Sequence, residues 1–298
     1  MTQRTHEDAP QDAAGRPVAR WLPGAVLGAV LGVLRALPWA VVTLCIVLAV
    51  LAPALAPFNP VASANAPLLP LWSEGHPMGT DSLGRDQLSR LLYGLRPMIF
   101  VSLGAVGLAL LVGGAYGVVS GVQGGRIDWA LMRAVDVFMS FPIILAAILV
   151  LAALGPSMLN LTIAVALSQF PIFARLARAL AAGEAARDYV LAARAVGYAP
   201  LRIMVAEVLP NIVRPLMVQA TSVVALAALT AAALSYLGLG VRPPAPDLGF
   251  MVREGQELIF LAPEQVLLPG LLIAVFALAV SFCGDQLADE RTRPGGLT

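Results

Sequence analysis

The sequence predicts an all-α membrane protein with six transmembrane helices, and three observations carry that prediction. Of 298 residues, 59% are hydrophobic and 12% charged, with a mean hydropathy of +0.83, too apolar a balance for the surface of a water-soluble domain. Charged residues are missing from five long stretches: Ala36 to Ser73, Pro97 to Gly125, Val137 to Ala174, Pro215 to Val241 and Gln265 to Gly284. Each can supply the roughly 20 apolar residues that cross a hydrocarbon slab of about 30 Å. The arginines, finally, fall mostly on one side of the spans these stretches define.

The first stretch is longer than one helix needs, but its second half (PFNPVASANAPLLPLW) is rich in proline and polar residues. The span is therefore placed at Leu37 to Ala56. The third stretch is broken by Gly155-Pro156-Ser157, which makes two antiparallel spans joined by a tight turn. Six crossings put both termini on one side. With the N-terminus inside, fourteen arginines lie inside and five (Arg85, Arg90, Arg96, Arg242 and Arg253) outside, so both ends are cytoplasmic by the rule that basic loops stay in.

Residues 1–20 read as a disordered cytoplasmic tail and 286–298 as a second one. Trp21 to Leu34 is too short to span and has no small-residue cleavage site behind it, so it reads as an uncleaved interfacial helix. It opens a segment, 21–97, that holds the first span and an extracytoplasmic stretch. Residues 98–285 form the main transmembrane domain, with a polar loop at 175–214.

Composition also excludes several functions. All 19 basic residues are arginine, so there is no lysine for a phosphate-binding loop or a Schiff base. Two histidines (His6, His76) and two cysteines (Cys45, Cys283) are too few for a zinc or haem site, and both cysteines sit in apolar runs as small hydrophobes. No HExxH, GxSxG or histidine pair is present, so no catalytic, cofactor-binding or metal-ligating residues are assigned and the chain reads as no enzyme. An ion-coupled secondary transporter would carry intramembrane ionisable residues and paired repeats with broken helices, and these are lacking. Nothing points to nucleic acid.

The most informative stretch is Arg175 to Arg214, which carries six arginines (Arg175, Arg178, Arg187, Arg194, Arg202 and Arg214). Glu184 to Val196 reads as a helix stopped by Gly197, a residue free to adopt the left-handed conformation. A second helix starts at Pro200 and ends near Pro210. Small residues Ala192, Ala193 and Gly197 allow another backbone to approach, and Arg187 and Arg194 lie about two turns apart. The spacing fits two readings equally: helices resting on membrane lipid headgroups, or a docking site for a partner protein.

Leu191-Ala192-Ala193, then Gly197, then Val208-Leu209-Pro210 resembles the coupling loop of ABC-importer permeases, whose pattern is Glu-Ala-Ala, three residues, Gly, and an ending such as Ile-x-Leu-Pro. Leu191 stands where that pattern has glutamate. HPMGTDSLGRDQLSRLLYGLRP (His76 to Pro97), DVFMSFP (Asp136 to Pro142) and LSYLGLGVRPPAPDLG (Leu234 to Gly249) are similar to the dipeptide, oligopeptide and nickel permease group, second-subunit type. The resemblance covers about Leu37 to Asp289. It implies the transmembrane domain of a type I ABC importer in a bacterial inner membrane, forming half of a translocation path with a homologous permease subunit. It further implies two ATP-binding subunits on the coupling loops, an extracytoplasmic solute-binding protein, and peptide or nickel-like cargo. Arg187, Leu191, Ala192, Ala193, Arg194, Gly197, Leu209 and Pro210 are the implied ATPase-coupling surface.

Two further features are read from the residues. Arg133 lies one turn before Asp136 in the third span, and the two are assigned as an ion pair, either a gate or, as favoured, structural. Outside, Thr80 or Asp81 caps a helix with Leu88, Leu91, Leu92 and Leu95 on one face that ends near Gly94. It rests on the outer membrane surface, or with Val241 to Glu264 forms a lid or landing surface for the binding protein. His76 reads as a loop residue.

Overall fold

A computed structural model describes residues 24–292; the tail predicted at 1–20 and residues 293–298 lie outside it. The described residues are helical apart from their connections and contain no strand, only isolated bridges at Ser73–His76 and Thr80–Asp86.

Helix α1 (Gly24–Leu55) carries the first span. Pro53 has no N–H to give to the carbonyl four residues back, which leaves the Ala49 oxygen free. Arg96 of α2 fills the gap, its Nε donating to the Ala49 oxygen at 2.7 Å and a second nitrogen to that of Val50 at 3.2 Å.

Helix α2 (Gln87–Gln123) has 37 residues, about 55 Å at the usual rise. The short outer helix expected to end near Gly94 is instead the first turns of this span. Asp86, rather than Thr80 or Asp81, is its N-cap, accepting the Ser89 N–H at 2.8 Å. Leu91, Leu92 and Leu95 are buried in the bundle and do not lie on a membrane surface.

The neighbours of the α2 glycines give the direction of α5 (Met158–Ala185). Gly104 meets Thr162, Gly113 meets Phe170 and Phe173, Gly117 meets Ala174 and Ala177, and Gly121 meets Ala181. Rising numbers face rising numbers, so the two helices are parallel. A side chain at Gly113 would place its Cβ 2.8 Å from the Phe170 oxygen, and one at Gly117 would collide with the Ala174 carbonyl. Glycines at every fourth position are what let the two backbones approach, the usual device where lipid-facing helices gain nothing from burying more leucine.

Parallel neighbours require the chain between them to recross the slab. It does so through α3 (Gly125–Met139) and α4 (Ile143–Leu154), which bend by 87° at Ser140 to Pro142. Pro142 lacks a donor and pushes Phe141 out of the helical region. The predicted third span from Val137 is thus a broken one, and the sixth crossing is this bent pair; the other five are single helices long and apolar enough to cross. The break expected at Gly155 is present, with Gly155 at φ +82° and Ser157 capping α5 through the Asn160 N–H at 3.1 Å.

Helix α5 runs past Arg175 and Arg178 to Ala185, so the polar excursion is shorter than the predicted 175–214. After α6 (Asp188–Ala195), α7 (Pro200–Arg202) leads through a wide π turn, Ile203–Val208, into α8 (Leu209–Tyr236). Pro210 does not end this helix. The Leu209 N–H reaches back five residues to the Met204 oxygen, and this wider turn makes room for the proline that follows. Helix α9 (Leu248–Gln256) is short, and α10 (Glu264–Thr292) is the last span, carrying helix through most of the predicted C-terminal tail. Two apolar cores form: a large one from Leu95, Val101, Leu161, Phe173, Leu234 and Phe276, and a smaller one under α6. Cys45 and Cys283 are buried as free thiols.

Candidate functional site

The predicted elbow is a braced projection from the ends of α2, α5 and α8. Arg187, extended at φ −76° and ψ 148°, turns the chain out of α5. Asp188 in the first turn of α6 and Arg194 in its last match the helix dipole. Gly197 sits at φ +88°, and the N–H groups of Gly197 and Tyr198 close the turn on the Arg194 and Ala193 oxygens at 3.0 and 3.1 Å. That geometry disfavours any residue with a Cβ. Pro200 then opens α7 at its first position.

Beneath, Val190 is fully buried with Ile203, Met204, Val208 and Ile212, against Val118 and Val122 of α2 and Ala177 and Ala181 of α5. Polar contacts add to this brace. Arg194 donates to the Val122 oxygen at 2.9 Å, one of the last carbonyls of α2, which no helical N–H can reach. Tyr189 donates to Glu184 at 2.6 Å and accepts from Asn211 at 2.9 Å, while Asn211 also donates to the Glu207 oxygen at 2.8 Å. Desolvation first, and then the Glu184 bond, pushes the Tyr189 phenol above its ordinary pKa.

The predicted surface residues therefore separate. Ala192, Gly197 and Pro210 are exposed, Ala193 and Leu209 half-buried, and a Cβ at Gly197 would meet nothing. Arg194, itself exposed, gives one nitrogen to α2 as a clamp. Arg187 is out in solvent, with Glu184 at 3.3 Å. The residues that stand out are apolar: Leu191 is 49% exposed, Val196 77% and Leu201 71%. Leu191 belongs to the surface the resemblance implies, whereas Val196 and Leu201 lie outside it because neither occupies a motif position.

On α3 the Arg133–Asp136 pair is not formed. Asp136 takes Arg175 of α5 at 2.6 Å, and Asp128 takes Arg178 in a bidentate pair at 2.7 and 2.6 Å, supported by the Ser120 hydroxyl at 2.6 Å. These pairs link the bent span to α5, a partnership that neighbours in sequence cannot reveal.

The opposite end of the bundle holds a buried polar knot. Arg85 bonds Asp81 at 2.5 Å and Glu254 of α9 at 2.9 Å; Arg90 bonds the same Asp81 and, at 2.6 Å, the same Glu254. Burial pulls the Arg85 guanidinium down, but the hydrogen bonds and charges of Glu254 and Asp81 outweigh it and hold the group above its ordinary value. His76 is buried, pairs with Asp86 at 2.8 Å and stacks on Phe58. It is thus a structural member of the knot, and among the described residues no group of three His, Cys, Asp or Glu forms a metal site. Gln265 of α10 donates to the Thr80 oxygen at 2.9 Å. Asp247 caps α9 through the Phe250 N–H at 3.1 Å and accepts the Ser235 hydroxyl at 3.0 Å, while burial raises its carboxyl.

Long apolar spans, a third crossing bent between α3 and α4, and a braced elbow define a helical membrane protein. The model of the binding-protein-dependent transport system inner membrane component family matches residues 113–290. The chain is 41% identical over 244 residues to the di/tripeptide transport system permease protein DppC of Pseudomonas aeruginosa, covering 80% of each chain. It is 39% identical to the dipeptide transport system permease protein DppC of Haemophilus influenzae, over 80% of this chain and 83% of that one. In structure it is similar to the inward-facing MetNI methionine ABC transporter, with a TM-score of 0.56 and 18% identity over 68% of this chain and 97% of the other, which speaks to fold alone. The chain belongs to the binding-protein-dependent transport system inner membrane component family and is a permease of such a system.

Proposed function

We propose that the chain forms half of the path of an ATP-driven peptide importer and that the elbow is where ATP-binding subunits push on it. The observation that carries this reading is the pairing of a packed base with an exposed apolar top: Leu191, Val196 and Leu201 stand in the open, while Val190, Ile203, Met204 and Val208 of the same elbow are buried against α2 and α5. An apolar patch facing water marks a protein contact, and only a stiff element can pass a displacement on to α2, α5 and α8. The arginine bias supports placing the elbow, and with it both termini, in the cytoplasm.

Peptide cargo is supported by the relatives, whose names include dipeptide and di/tripeptide permeases and, at 36% identity, a glutathione permease; glutathione is itself a tripeptide. A homologous permease subunit is the proposed second half of the path. The apolar window of α1 is only 17% buried, and Leu145, Leu149 and Leu154 of α4 face outward, which leaves surface for it. The knot and α9 then face the extracytoplasmic binding protein.

The test is Gly197→Arg in the assembled transporter. Transport and ATP hydrolysis stimulated by the binding protein are both lost while the chain still inserts; wild-type transport by that variant overturns the coupling role.

A further inference from the structure

Between α3 and α5, on the elbow side, lies a cleft of about 470 Å³ lined by Asp128, Trp129, Met132, Arg133 and Asp136 of α3 and by Arg175 and Arg178 of α5. Its charges do not balance, with three guanidinium groups facing two carboxylates. Arg178 is held in a bidentate pair by Asp128, whereas Arg175 uses one nitrogen on Asp136, and Arg133 makes no ion pair among the described residues. The unspent donors of Arg133 and Arg175 therefore line the same space.

Depth identifies what can occupy it. Arg175 lies 17 residues beyond Met158 along α5, about 26 Å from the far end of that helix, where a hydrocarbon core of about 30 Å gives way to headgroups. Trp129, 70% exposed at the rim, is the amphipathic ring that favours this boundary. Beyond it Val137 and Phe141 are exposed and apolar, as lipid-facing residues are. Guanidinium groups with free paired donors match a phosphate.

We infer that this cleft binds the headgroup phosphate of an anionic phospholipid in the leaflet on the elbow side, held by Arg133 and Arg175 with Trp129 beside the glycerol. The lipid joins α3, one half of a broken span, to the stem that leads into the elbow. This inference rests on the membrane-spanning reading of α2 and α5, not on the docking of ATP-binding subunits.

The test uses the whole transporter in nanodiscs of phosphatidylcholine mixed with phosphatidylglycerol, with retained lipid counted by native mass spectrometry and located with photoactivatable phosphatidylglycerol. Wild type retains phosphatidylglycerol in preference, by about fivefold for each arginine, and cross-links map to 126–139 and 170–178. Arg133→Gln lowers the preference about fivefold, Arg133→Lys keeps most of it, and Arg133→Gln with Arg175→Gln removes it. Equal retention of both lipids, an unchanged preference in Arg133→Gln, or displacement by inorganic phosphate overturns the assignment. So does the absence of cross-links to α3 from any lipid, which would mean that protein covers the cleft. A complex that loses its ATP-binding subunits but keeps the lipid preference breaks only the coupling proposal.

Discussion

The two ends of the bundle use similar residues in opposite ways. In the knot, Arg85, Arg90 and Asp81 are buried and face one another, and Glu254 ties them to α9. In the elbow, Arg187 is out in solvent, Arg194 clamps a carbonyl of its own bundle, and the outermost side chains are Val196 and Leu201. One end spends its charges on internal closure, while the other leaves apolar surface unsatisfied. A region that closes on itself holds a shape, and a region that exposes apolar groups waits for a partner. In the proposed reading the knot is a fixed platform and the elbow a stiff docking surface.

Four substitutions sharpen or break that contrast. The largest effect belongs to Arg90→Ala. Removing one of the two arginines from this buried network leaves Asp81 and Glu254 to share Arg85 alone, at about 3 to 5 kcal/mol. The apparent Tm of the detergent-solubilised chain falls steeply; an unchanged Tm would mean that the knot is not a structural closure. Gly197→Val comes second, because a β-branched side chain at φ +88° costs about 1 to 2 kcal/mol. Its Tm falls less than that of Arg90→Ala, but peptide transport is abolished along with it.

Val196→Asp separates stability from coupling most cleanly. The site is exposed, so stability changes by no more than about 0.5 kcal/mol, yet co-purification with the ATP-binding subunit drops sharply. Full co-purification of that variant would remove the elbow from the docking surface. Arg187→Ala has the smallest effect. An exposed pair with Glu184 contributes about 0 to 1 kcal/mol, and melting and transport both stay close to wild type. A large transport defect would show Arg187 to be a genuine anchor.

Much of this was legible in the sequence, and the failures share a cause. The Gly155 break, the elbow at Gly197 and Pro200, and the buried cysteines follow from local rules about glycine, proline and apolar runs. The same local rules misplaced the ends at Gly94 and Pro210. In the first case the helix continues because its leucines are buried in the bundle; in the second the π turn absorbs the proline. The Arg133–Asp136 assignment failed similarly. One-turn spacing permits that pair, but Arg175 of α5 is delivered to Asp136 by packing. The glycine run 113, 117 and 121 was a readable small-residue signal for a close helix partner, although not for which helix.

Composition alone settled that this chain lives in a bilayer, because a slab without water demands long apolar helices that satisfy their own backbone groups. It also indicated where the chain turns and on which side its arginines gather. Tertiary structure decided what those arginines do. Whether Arg194 reaches outward or caps α2, whether Asp136 meets Arg133 or Arg175, and whether a stretch crosses straight or bent all depend on α2 and α5 lying parallel at glycine distance. That arrangement is set by side-chain shapes far apart in the chain, and no local pattern of hydropathy records it.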